Sequence, residues 1–202
     1  MIKYFTNQVL SQKLSTNLAK WKRWSREFLP PDPLGGMQSG YARQYTPDEA
    51  FTVYLGGCLV SHLNFSIPDT RQILQDLNPW LLASGFRFDI RNTTDTHEMN
   101  GHNSIKHYII FILTHMAGIT GISQNSNRFY YLIRGILSTR SVIKENNRII
   151  EEQYIETHLP SSASLPLSLM DMHPIKVLNI TTLMHAFIQN LDLEPLNAKV
   201  ML

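Results

Sequence analysis

Cysteine is nearly absent from this 202-residue chain: Cys58 stands alone. A lone thiol excludes an intrachain disulfide framework and a thiolate zinc cluster. A reducing, cytoplasmic compartment is the natural expectation. Charge is sparse as well, at 17% of residues against 43% hydrophobic, a globular rather than a disordered composition. Long apolar runs are missing. The most apolar stretch, Tyr108 to Ile122, contains Thr114 and His115 and falls short of the roughly 20 residues that span a bilayer. The opening MIKYFTNQVL is too polar for a signal peptide. No membrane segment is therefore expected.

Catalytic patterns are missing too. No glycine-rich loop follows a strand in the manner of a dinucleotide or phosphate-loop site. Ser161, Ser162, Ser164 and His158 lack a nucleophile-elbow context, and His173 has no acidic partner that can be placed beside it. His97, Glu98, His102 and His107 invite a metal reading, but a zinc helix sets its histidines at i and i+4. In a polar loop such residues are ordinarily solvated. The expectation is no metal, no cofactor and no enzyme. A metalloenzyme built on residues 97–107 is the weakest of the alternatives.

What is present is an uneven charge distribution. Residues 1–45 hold seven basic residues against two acidic ones, a net +5, which leaves −3 for the remainder of a chain whose total is +2. A basic segment on a slightly acidic body is an electrostatic footprint. Its centre is Thr16 to Tyr45. There Lys20, Lys22, Arg23 and Arg26 surround Trp21, Trp24 and Phe28, and the run stops at Leu29-Pro30-Pro31-Asp32-Pro33.

Local signals divide the chain. Thr6 is expected to cap a short helix with Val9, Leu10 and Leu14 on one face. Ser15 or Thr16 is expected to cap a second, running to about Phe28, with Leu18, Trp21, Trp24 or Ser25, and Phe28 at three-to-four spacing. Proline ends it, because it lacks the N–H and clashes with the preceding turn. Leu34 to Gln44, with Gly35-Gly36 and Ser39-Gly40, reads as a hairpin wing. Thr46-Pro47-Asp48-Glu49 is a capping-box helix start. Gly56-Gly57 inside that helix costs about 1 kcal/mol per glycine and implies a close helix crossing. Ser66-Ile67-Pro68-Asp69 starts another helix, striped by Ile73, Leu74, Leu77 and Leu81, with a break expected at Asn78-Pro79. Beyond Gly85 the β-branched and aromatic stretches Lys106–Leu113 and Phe129–Leu137 appear. A hairpin turning at Asn146-Asn147 follows, then a strand over Lys176–Ile180 and a helix over Thr181–Leu191.

Lys22-Arg23-Trp24-Ser25-Arg26-Glu27-Phe28-Leu29-Pro30-Pro31 and Arg43-Gln44-Tyr45-Thr46-Pro47-Asp48-Glu49 together resemble the DNA-binding domain of the MerR family. In that family a recognition helix ends in an Arg-aromatic-aromatic-Glu run with a Pro-Pro exit. Its wing closes on Arg-x-Tyr before a Thr-capped acidic helix. The resemblance covers roughly residues 4–82, including the Phe65-Ser66-Ile67 helix entry. No heptad run follows Gly85, where the family carries its dimerising coiled coil.

The expected fold class is α+β: a mostly helical winged helix-turn-helix over 1–84, then a small α+β dimerisation or sensing unit over 85–202. The expected function is sequence-preferring binding of double-stranded DNA by a homodimer, in the service of transcription regulation. Lys20, Arg23 and Arg26 are expected in the groove, because Lys and Arg on an exposed helix face reach base edges. Lys22, Gln38, Ser39 and Arg43 are expected on phosphates. Trp24, Phe28 and Tyr45 belong to the core, and Arg43 has a structural alternative as partner of Glu27 or Asp48. Competing functions are an architectural DNA-binding protein of a mobile element, of excisionase or partition type, and a protein-interaction module built on the Arg/Trp-rich helix.

Overall fold

A computed structural model describes residues 3–32, 42–88, 107–114, 128–144, 147–159 and 174–193. The chain is α+β and divides into two compact units: residues 1–98 with 183–196, and residues 99–182 with 197–202. The segment Leu183–Leu196 is thus grouped with the N-terminal part of the chain.

The first unit begins with β1 (Phe5–Thr6), α1 (Asn7–Lys13) and α2 (Leu18–Phe28). Thr6 caps α1, its Oγ1 accepting from Val9 N at 3.4 Å. Leu10 and Leu14 are buried, while Val9 stays exposed. The cap of α2 is Asn17 rather than Ser15 or Thr16: its Oδ1 accepts from Ala19 N at 2.9 Å and Lys20 N at 3.2 Å. Ser15 instead takes a φ of 50° in the turn between the helices. At its other end α2 stops on Leu29, extended at φ −113° and ψ 156°, the conformation that a following proline imposes.

β2 (Gln44–Tyr45) pairs antiparallel with β1. Of the expected wing, Leu34 to Gln44, residues 34–41, Gln38 and Ser39 among them, lie outside the described part of the chain.

α3 (Pro47–Ser61) starts on the expected capping box, Thr46 with Glu49. Gly56 and Gly57 mark the close crossing with α2: a Cβ on Gly56 would collide with the Phe28 ring, and one on Gly57 with the Trp24 ring. α4 (Ile67–Ala83) is capped by Ser66 and buries Ile73, Leu77 and Leu81. It runs through Pro79 without the expected break. Pro79 sits on the exposed side, and so does Gln75, whose carbonyl loses its partner there, so water can satisfy the freed group. Gly85, at φ 80°, closes the helix, with Phe86 N bonded back to Leu81 O at 2.9 Å.

The second unit is an antiparallel sheet of β3 (His107–Thr114), β4 (Phe129–Lys144), β5 (Asn147–Leu159) and β6 (Ile175–Asn179), in the order β5-β4-β3-β6. The β4–β5 register pairs Lys144 with Asn147 and shifts between Ile136 and Ser138. The turn itself is not among the described residues, but Asn147 already belongs to the strand and not to the expected turn. Ile110, Ile112, Tyr131, Ile133 and Leu178 are buried in this sheet. Arg134 lies 4.0 Å over the Tyr154 ring and pairs with Glu156 at 2.8 Å. Asn179 starts α5 (Ile180–Asn190) by accepting from Thr182 N at 2.9 Å.

In the first unit, Phe187 of α5 packs against Phe51, Tyr54 and Phe88 with centroids 5.3–5.6 Å apart. Among the described residues, no helix is long and apolar enough to cross a membrane.

Candidate nucleic-acid interface

The periodicity of α2 decides which way its charges point. Trp21, Trp24 and Ser25 are buried, with Trp21 fully so. Lys20, Lys22, Arg23 and Arg26 are all exposed. None of the four makes an ion pair or a side-chain hydrogen bond with a described residue.

The other cations of the basic segment are engaged internally. Lys13 pairs with Asp192, and Lys3 Nζ donates to the carbonyls of Leu191 and Asp192 at 3.2 Å each. The hydrogen bond from Lys13 holds the Asp192 carboxyl below its ordinary range, with the positive charges of Lys13 and Lys3 adding to the effect. Arg43 donates from Nη1 to Pro30 O at 3.0 Å and from Nη2 to Glu49 Oε1 at 3.4 Å. Its side chain is only 15% exposed, and its guanidinium lies 5.4 Å from the Tyr45 ring centroid. Of the two expectations for Arg43, the geometry displays the structural one. The partner is Glu49, however, not Glu27 or Asp48, because the capping box already holds the Glu49 carboxylate beside the strand.

Glu27 is the acidic residue next to the basic row, and Arg71 of α4 occupies it. Arg71 pairs with the Glu27 carboxylate and donates from Nε to Glu27 O at 2.8 Å. It thereby neutralises Glu27 and satisfies a late carbonyl of α2. No sequence signal pointed to Arg71, which is 44 residues away.

Tyr45 locks the strand pair to α2. Its hydroxyl donates to Asn7 Oδ1 at 2.6 Å. That uses the one phenolic proton, so the 2.7 Å contact with Ser25 is donated by Ser25 Oγ. The Tyr45 ring meets Trp21 edge-on at 6.0 Å. Beside this lock lies a groove of about 1000 Å³ lined by Thr6, Asn7, Lys22, Arg26, Asp32 and Arg43, among others.

His107 is exposed at the start of β3; His97, Glu98 and His102 lie outside the described residues. Cys58 is buried, and desolvation pushes its thiol up to about 11. No protein-family model matches the chain, and no curated protein or solved structure matches it significantly.

Proposed function

We propose that this protein is a double-stranded DNA-binding protein of the winged helix-turn-helix kind, MerR-like in its N-terminal part, acting as a homodimeric transcription regulator. The observation that carries the reading is the basic face of α2. Lys20, Lys22, Arg23 and Arg26 are exposed together, while the nearby acid is held by Arg71. A helix with such a face fits the major groove, its cations reaching base edges and phosphates. Supporting it, the α1–α2 pair, the strand β2 and the capping box of α3 follow one another along the chain.

In this reading Lys20, Arg23 and Arg26 enter the groove, and Lys22 contacts the backbone with Gln38 and Ser39. Arg43 acts chiefly by fixing the strand against α3. The burial of Trp21 and Trp24 removes the aromatic anchors that a protein-interaction reading of this helix would use. Two copies follow from size, since one reading module buries only about 600–1,000 Å² on DNA.

The test is fluorescence anisotropy with a pool of genomic duplex fragments, titrated from low to physiological salt. Steep salt dependence with a surviving fraction that can be sequenced is the expected result. Lys22→Ala should flatten the salt slope by about 0.9, as the loss of one phosphate contact does, and Arg23→Ala should weaken binding and relax the base preference at one position of the site. Steep loss with no surviving fraction would favour the architectural alternative. Absence of binding at low salt would end the DNA reading.

A further inference from the structure

β5 is an outer strand: among the described residues it pairs only with β4. Every residue from Arg148 to His158 is exposed. Four of them are large and apolar: Ile149, Ile150, Tyr154 and Ile155, with exposures of 39–61%. Edge strands that must stay alone are kept short or carry lysine or proline. β5 runs for 13 residues and contains neither.

Its sequence is also self-complementary. A two-fold axis through Glu152 sets Ile149 against Ile155, Ile150 against Tyr154, Glu151 against Gln153 and Arg148 against Glu156. Glu156 Oε1 is occupied by Arg134 and Arg148 Nε donates to Ser141 Oγ at 2.8 Å, which leaves the second Glu156 oxygen and the Nη atoms of Arg148 for each other across the axis. A slip of one residue would oppose Ile149 to Glu156 in one direction, or Glu151 to Glu152 in the other. The favoured register has one unfavourable pair, Glu152 facing its own copy.

We propose that β5 pairs antiparallel with β5 of a second copy of this chain about an axis at Glu152, joining the two four-stranded sheets edge to edge. Such an interface is isologous, the same patch serving both partners, and main-chain hydrogen bonds add to the side-chain pairs. The inference rests on the homodimer of the proposed function and supplies its interface. Eleven residues a side, Asn147–Thr157, face one another in this register, well below the roughly 20–30 of a standard interface, so the association is weak and concentration-dependent in the absence of DNA.

The test is sedimentation velocity on the full chain from about 1 to several hundred micromolar, with circular dichroism as a check on folding. The wild type should move from monomer to dimer. Ile150→Lys should weaken the dimer about tenfold, and Arg148→Glu, placing like charges together, should weaken it as well. Glu152→Gln removes the repulsion on the axis and should tighten the dimer about two- to fivefold, which a merely disruptive change at the edge would not do. A wild type that stays monomeric throughout, or a dimer indifferent to Ile150→Lys and Glu152→Gln, overturns the pairing. Anisotropy on the same samples separates the two ideas. A dimer with the stated mutant pattern but no duplex binding at low salt upholds the pairing and removes the DNA reading. Duplex binding by a chain that sediments only as monomer overturns the pairing alone.

Discussion

Replacing Gly57 by alanine adds one methyl group to α3 where Trp24 crosses it. At an ordinary helical position that change stabilises by about 1 kcal/mol. Here the new Cβ would run into Cε3, Cζ3 and Cη2 of the indole, and Trp24 is buried against α3, so the ring has little room to withdraw. Overpacking of this kind costs about 1–3 kcal/mol. The clash involves two rigid ring carbons directly, so the upper part of that range applies, and Gly57→Ala should destabilise by about 1–2 kcal/mol net. Trp24→Leu deletes all three colliding atoms. In that background the helical gain of about 1 kcal/mol should return, giving a coupling of about 2–3 kcal/mol in a double-mutant cycle. Urea unfolding followed by far-ultraviolet circular dichroism reads each corner of the cycle. If Gly57→Ala stabilises equally in both backgrounds, α3 does not cross α2 at this glycine and the placement of the basic face falls with it.

Tyr45→Phe should cost about 1–3 kcal/mol in thermal or urea unfolding, because it strips Ser25 and Asn7 of their common partner; an unchanged midpoint would mean that water replaces the hydroxyl. Thr46→Ala should cost about 1 kcal/mol by removing the α3 cap, checked in the same way. Cys58, with its thiol near 11, should be thiolate to only about one part in a thousand at pH 8, so a disulfide reagent should label the native protein far more slowly than the unfolded one. Asp192 has its carboxyl held below the 3.8 of a free aspartate by Lys13. Its contribution is therefore present above that value and lost as pH falls through the lowered one. Asp192→Asn should lower the melting temperature slightly at pH 7, and the difference should shrink as pH falls below 3.8 through the lowered value.

Legibility in the sequence followed the range of the interactions. The caps at Thr6, Thr46 and Ser66, the stop at Leu29-Pro30 and the split of α2 into an indole side and a cation side are all set within one or two turns, and the sequence by itself determined them. The Gly56-Gly57 pair announced a close crossing through its helical cost alone, although only the structure says that Phe28 and Trp24 are what crosses there. Pro79 shows the opposite outcome. Its local signal is a break, yet burial of Leu77 and Leu81 on the other side keeps α4 continuous. Tertiary structure alone decided that Phe5 pairs with Tyr45 and that Arg71 silences Glu27. It also placed Leu183–Leu196 with the N-terminal helices and put β5 at an edge. Such partners are chosen by chain topology, and a hydrogen bond or ion pair across some forty residues leaves no periodicity in the sequence to announce it.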